Sequence, residues 1–155
     1  MDAFRCILVP TDFSEASIRA TGLAVDLAQT LKADLVLAHF WGIPAYPYLT
    51  EGYQAADFTA SMARAADAQM AKALAKVRTS LPGARSICRM GMPWEEILKA
   101  VDEERADAIV TGTHARHGLN RLLLGSVAEK VVRSSPVPVL TVPPVPETKD
   151  KPRPA

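Results

Sequence analysis

The chain has 155 residues, of which 48% are hydrophobic and 23% charged, with a formal net charge of +1. That is one domain's worth of sequence, long enough to bury an ordinary core. The near-neutral balance lacks the basic cluster of a nucleic-acid binder, and no apolar run approaches the roughly 20 residues of a membrane span. Met1-Asp2-Ala3-Phe4-Arg5 enters a strand with no signal-peptide pattern, so a cytoplasmic location is expected. Cys6 and Cys88 lie far apart in apolar strand patterns and read as two reduced, buried thiols rather than a disulfide or a metal pair.

In chain order, Phe4 to Val9 is a short apolar strand closed by Pro10. A helix follows from about Ser14 to Leu31, with Ala20, Ala24, Leu27, Ala28 and Leu31 on one face. The second strand covers Leu35 to Phe40. An aromatic, proline-bearing connection then runs from Trp41 to Tyr53; it either shields a ligand or packs on the domain or a partner. A long helix from about Ala55 to Ser80 carries the stripe Phe58, Met62, Ala66, Met70, Ala73, Val77 and Leu81, and Pro82-Gly83 breaks it.

Arg85 to Met90 is the third strand. Pro93 suits the first turn of the next helix, which buries Trp94, Ile97, Leu98 and Val101. The fourth strand spans Ala106 to Thr111, the last helix about Ser126 to Ser134, and the fifth strand Val139 to Val142. From Pro143 the prolines and charges read as a solvated tail; a domain over residues 1–143 and a disordered tail over 144–155 are expected. Strands alternating with helices predict a five-stranded, parallel, doubly wound α/β sheet in the order 3-2-1-4-5.

In such a sheet, ligands bind beyond the carboxyl ends of the strands where the order reverses. Two loops flank that point: Pro10-Thr11-Asp12-Phe13-Ser14, and residues 112–126. The second begins Gly112-Thr113-His114-Ala115 and ends Leu124-Gly125-Ser126 at a helix start, where free backbone N–H groups and the helix dipole attract anions. Glycine at 112 and 125 would let a phosphate approach the backbone closely. Ser126 with Glu129 also fits a capping box, and Asp12 fits both a helix cap and a polar contact to a nucleotide. His114 and His117 lack a third ligand at metal-binding spacing. Arg116 and Arg121 could neutralise phosphates. Walker-type and dinucleotide-binding glycine patterns are absent, and no Ser/His/Asp or Cys/His arrangement stands out.

These segments resemble the universal stress protein family over Phe4 to Val142. The resemblance is carried by residues 7–14, 37–40, 91–97, 107–114, 122–131 and 136–140. It implies an adenine-nucleotide alpha-hydrolase-like fold that binds ATP or another adenine nucleotide, with or without Mg. It puts Pro10, Thr11 and Asp12 near adenine and ribose, and Phe40 near the base. Gly112, His114 and Ala115 fall beside ribose and phosphates, and Gly125, Ser126 and Val127 hold the phosphate chain. It also implies a homodimer through the fifth strand and a stress-response role with a protein partner yet to be named. The family's nucleotide-binding branch carries glycine where this chain has Ala115. If that position needs positive φ, the Cβ costs about 1 kcal/mol. Lys32 stands where relatives often have a helix-ending glycine. Two other readings stay open: an interaction protein that has lost nucleotide binding, and a slow ATPase in which Asp12 orients magnesium.

Overall fold

The computed structural model describes residues 4–42, 52–113 and 124–145. In chain order the elements are β1 (Cys6–Pro10), α1 (Glu15–Leu31), β2 (Asp34–Trp41), α2 (Gly52–Arg78), β3 (Arg85–Met90), α3 (Pro93–Glu104), β4 (Ala108–Gly112), α4 (Ser126–Ser134) and β5 (Val139–Val142). The strands form one sheet in the order β3-β2-β1-β4-β5, and every pairing is parallel. The predicted fold class and strand order are those observed.

Every residue of β1 is buried, as its uninterrupted apolar run requires of a strand covered on both faces. The two-residue period then divides the core. Ile7, Val9, Leu35, Leu37 and Val110 face α1 and α2, meeting Ala20, Ala24, Met70 and Val77. Leu8, Val36, Ala38, Phe40 and Ile109 face α3 and α4, meeting Ile97, Val101 and Val131. The cysteines fall on opposite sides: Cys6 belongs to the second core, half-buried Cys88 packs against the first, and both are free thiols.

Helix α1 turns Ala16, Ser17, Ala20, Ala24 and Ala28 inward, and these small side chains let it lie close to the sheet. Closest of all is its approach to the end of β4. A Cβ on Gly112 would stand 2.6 Å from the carbonyl carbon and oxygen of Ala16 and 2.7 Å from the nitrogen of Ser17. The backbone of α1 occupies the space a side chain would need, which gives Gly112 a packing reason to lack one besides the expected approach of a phosphate.

Several boundaries move for identifiable reasons. β4 begins at Ala108 rather than Ala106, because the Asp107 carboxylate accepts the N–H groups of Arg5 (2.7 Å) and Cys6 (2.9 Å) and so ties the two strand starts together. Those donors, Arg5 first, hold its carboxyl below the ordinary carboxylate range. Helix α2 starts at Gly52 and stops at Arg78, and Thr79 and Ser80 form a turn onto Lys76 and Val77. At 27 residues, about 40 Å, α2 outruns the sheet, which leaves Phe58 of its predicted core stripe 38% exposed. Leu31, at the last position of α1, is likewise exposed. Pro143, read as the start of the tail, receives a hydrogen bond from Arg19 Nη1 at 2.9 Å. Lys32 ends α1 in the left-handed region (φ 55°, ψ 40°), as Arg105 ends α3, so the backbone at position 32 would favour a glycine.

Gly112→Ala should lower the unfolding free energy by about 1–3 kcal/mol, the range for overpacking a close-packed contact. Urea denaturation of the two proteins measures it, and an unchanged midpoint would show that α1 can retreat freely.

Candidate functional site

The chain leaves β1 towards β2 on one side, while β4 and β5 extend the sheet on the other, so the order reverses between β1 and β4. At the carboxyl ends of these strands is a cleft of about 190 Å³. Pro10, Thr11, Asp12, Phe40, Gly112, Gly125, Ser126 and Val127 line it, which are eight of the ten residues singled out in the sequence. The other two, His114 and Ala115, lie outside the described residues, as do Arg116, His117, Gly118 and Arg121. Ser17, Ala38, Pro93, Ile97, Thr111 and Ala128 complete the lining. Of these, Ile97 was legible as a buried helix position and Pro93 as a helix start, but neither carried a signal for this cleft.

The turn after β1 is fixed at each residue. The Thr11 N–H donates to the Ala38 carbonyl at 2.8 Å, continuing the sheet's pattern one step past β1. The Thr11 carbonyl lies 2.8 Å from His39 Nδ1, and since a carbonyl only accepts, Nδ1 bears the proton. Thr11 Oγ1 accepts the Phe13 N–H at 3.0 Å and donates to Ser17 Oγ at 3.0 Å. Phe13 takes φ 63°, a conformation rare for so bulky a residue, and its ring packs on His39 with centroids 4.5 Å apart. No sequence signal marks Phe13 for that conformation. The Asp12 carboxylate accepts from the N–H (3.0 Å) and hydroxyl of Ser14, the N-cap of α1. The helix-start role of Asp12 is therefore present, on a residue that also forms part of the cleft wall.

At the opposite wall, α4 begins differently from the capping-box expectation. Gly125 is the N-cap, with φ −58° and ψ 157°, and Ser126 is the first helical residue. The first intrahelical bond runs from the Glu129 N–H to the Gly125 carbonyl at 2.9 Å. The N–H groups of Ser126, Val127 and Ala128 thus have no acceptor within the helix, and all three residues line the cleft. Glu129 pairs instead with Arg133 at 3.1 Å. Three amides without an acceptor in the helix and the positive end of a nine-residue helix suit an anion. Pro10, Ala38, Phe40, Pro93 and Ile97 give the same cleft an apolar lining that suits a flat base. Asp12 is the one ionisable side chain among the described lining residues, and it is the group that could face a ribose or a magnesium ion there. Among the described residues no group of three or more His, Cys, Asp or Glu could hold a metal ion.

A parallel, doubly wound sheet with helix-start amides lining a cleft at its switch point defines an α/β protein of the class whose ligand sites lie beyond the strand ends. The chain belongs to the universal stress protein family: residues 3–143 match the family's sequence profile. It is 35% identical to a universal stress protein of Thermus aquaticus over 140 residues, 90% of this chain and 98% of that one. Its fold superposes on the universal stress protein UspA of Lactobacillus plantarum with a TM-score of 0.78 at 26% identity, covering 92% and 99% of the two chains. It also superposes on a universal stress protein solved in complex with cAMP, with a TM-score of 0.62 at 26% identity, covering 91% and 98%. No helix among the described residues is long and apolar enough to cross a membrane.

Because Gly125 and not Ser126 is the cap, Ser126→Ala should change stability by no more than about 0.5 kcal/mol, well below the roughly 1 kcal/mol of a lost N-cap. Thermal and urea unfolding decide between the two.

Proposed function

We propose that this protein binds an adenine nucleotide, with ATP the first candidate, in the cleft between β1 and β4, and acts in the cytoplasm as a regulatory module of the stress response. The observation that carries this reading is that the Ser126, Val127 and Ala128 helix-start amides and a set of apolar side chains line the same cleft. Phosphates would sit at the start of α4, the base against Ala38, Phe40 and Ile97, and the ribose or a phosphate-bound magnesium beside Asp12. The relative solved with cAMP is a protein of the same fold and family with an adenine nucleotide bound. At about 190 Å³ the cleft is below the roughly 300–1,000 Å³ usual for ligand pockets, so a whole nucleotide would extend past its mouth.

Binding is favoured over turnover. The Asp12 carboxylate is engaged by Ser14, and the other described lining residues offer no second acid or base to activate water. The rival reading, an interaction protein without nucleotide binding, rests on Ala115 alone. Calorimetry with ATP, ADP and AMP separates the two. Saturable binding of at least one is expected, and Ser126→Ala should weaken it by about 1 kcal/mol, roughly fivefold, through a lost hydroxyl contact. No heat and no thermal shift at millimolar ligand would overturn the proposal.

We also infer a homodimer through β5. Among the described residues β5 pairs only with β4, and Leu140 on this edge is 45% exposed. An apolar edge strand invites another strand, and a two-fold axis would set the two β5 strands antiparallel. Sedimentation equilibrium should give about twice the chain mass of 16.7 kDa at tens of micromolar. Leu140→Lys should shift it towards the monomer, and a monomeric unaltered protein would refute the dimer.

A further inference from the structure

We propose that Arg89, which does not line the cleft, is the residue that positions its base-side wall and so sets a preference for purine over pyrimidine nucleotides; this rests on the nucleotide reading above. Arg89 and Phe40 are register partners on β3 and β2. The Arg89 guanidinium carbon stands 5.5 Å from the centroid of the Phe40 ring, within cation–π range. Phe40 is 7% exposed and forms part of the cleft.

The same guanidinium holds α3. Its Nε donates to Glu96 Oε2 at 2.7 Å, and its two Nη atoms donate to both oxygens of Glu103 at 2.9 and 3.3 Å. Lys99 Nζ donates to the other Glu96 oxygen at 2.7 Å. Hydrogen bonds from Lys99 and then Arg89 keep the Glu96 carboxyl below its ordinary range, while Glu103 and Glu96 raise the already high pKa of Arg89, so the Arg89–Glu96 pair stays charged at neutral pH. Gly91 makes room for it: a Cβ there would meet Glu96 Cγ at 2.4 Å. Glu96 lies in the first turn of α3, between the cleft residues Pro93 and Ile97.

One planar cation therefore links the ring on β2 to the helix turn that adds Pro93 and Ile97 to the lining. A purine stacks two rings on such a wall and a pyrimidine one, so a loosened wall costs the purine more. Lysine cannot reproduce the fork that grips Glu103 with two nitrogens while a third holds Glu96.

The test titrates ATP and CTP into the unaltered protein and Arg89→Met. ATP affinity should fall about tenfold and CTP affinity less than about twofold, the scale at which small losses of fit act. Equal falls, or an unchanged ATP affinity, would overturn the proposal. Should Arg89→Met not fold, Arg89→Lys is titrated instead, and the ATP to CTP ratio should drop in the same direction; an unchanged ratio overturns. If the unaltered protein binds neither nucleotide, the function proposed above fails. The positioning role is then decided by the ring carbon signals of isotopically labelled Phe40: a shift in the variant upholds it, and unchanged signals refute it.

Discussion

The contact on which the rest of the molecule depends is the seating of α1 against the end of β4. Gly112 has no side chain because the backbone of Ala16 and Ser17 fills that space. With α1 held there, the turn from Thr11 to Ser14 has little freedom: it must climb from β1 into a helix whose first turn is already docked. The hydrogen bonds of Thr11 to Ser17 and of Ser14 to Asp12, and the left-handed backbone of Phe13, are the means by which it does so. Since α1 covers one face at this point, the hollow between β1 and β4 is completed from the other by Pro93 and Ile97 of α3 and the start of α4.

The parallel ladder sets the cleft's depth. β1 pairs with β4 through Ile7 and Leu8, and Asp107 ties the strand starts together, so the carboxyl ends finish nearly level. Helix starts and strand ends then share one rim. The donors of α4 and the apolar end of β2 come together because the sheet's register has placed them there. Neither wall has the makings of a site alone.

The order and type of the elements were legible because the strands are short apolar runs and the helices keep a 3.6-residue period. The rest depended on quantities the sequence does not carry. Gly125 and Ser126 are both good caps, and only the backbone angles decide which is used; the difference frees the Ser126 hydroxyl from capping. Gly112 was read as room for a ligand because a glycine in a loop does not announce what approaches it. Arg89 read as an ordinary strand residue, since its partners on α3 are 7 and 14 positions away and meet it only in the folded sheet. Lys32 became legible through family resemblance, where residue propensity alone would not have marked it. The Leu31 and Phe58 positions were overread because a helical period continues past the sheet that would bury it.

Among the described residues, the three that are left-handed and not glycine are divided between the two edges of the sheet. Phe13 stands at the rim with the cleft, whereas Lys32 and Arg105 end their helices at the opposite edge, where the strands begin. In a parallel sheet these edges are a full strand length apart, and substitutions so separated act nearly independently. Changes at the lower edge can thus alter how long the fold survives while leaving recognition at the upper edge untouched. A lineage of such proteins could adapt to hotter or colder surroundings at one end of the molecule and to new ligands at the other.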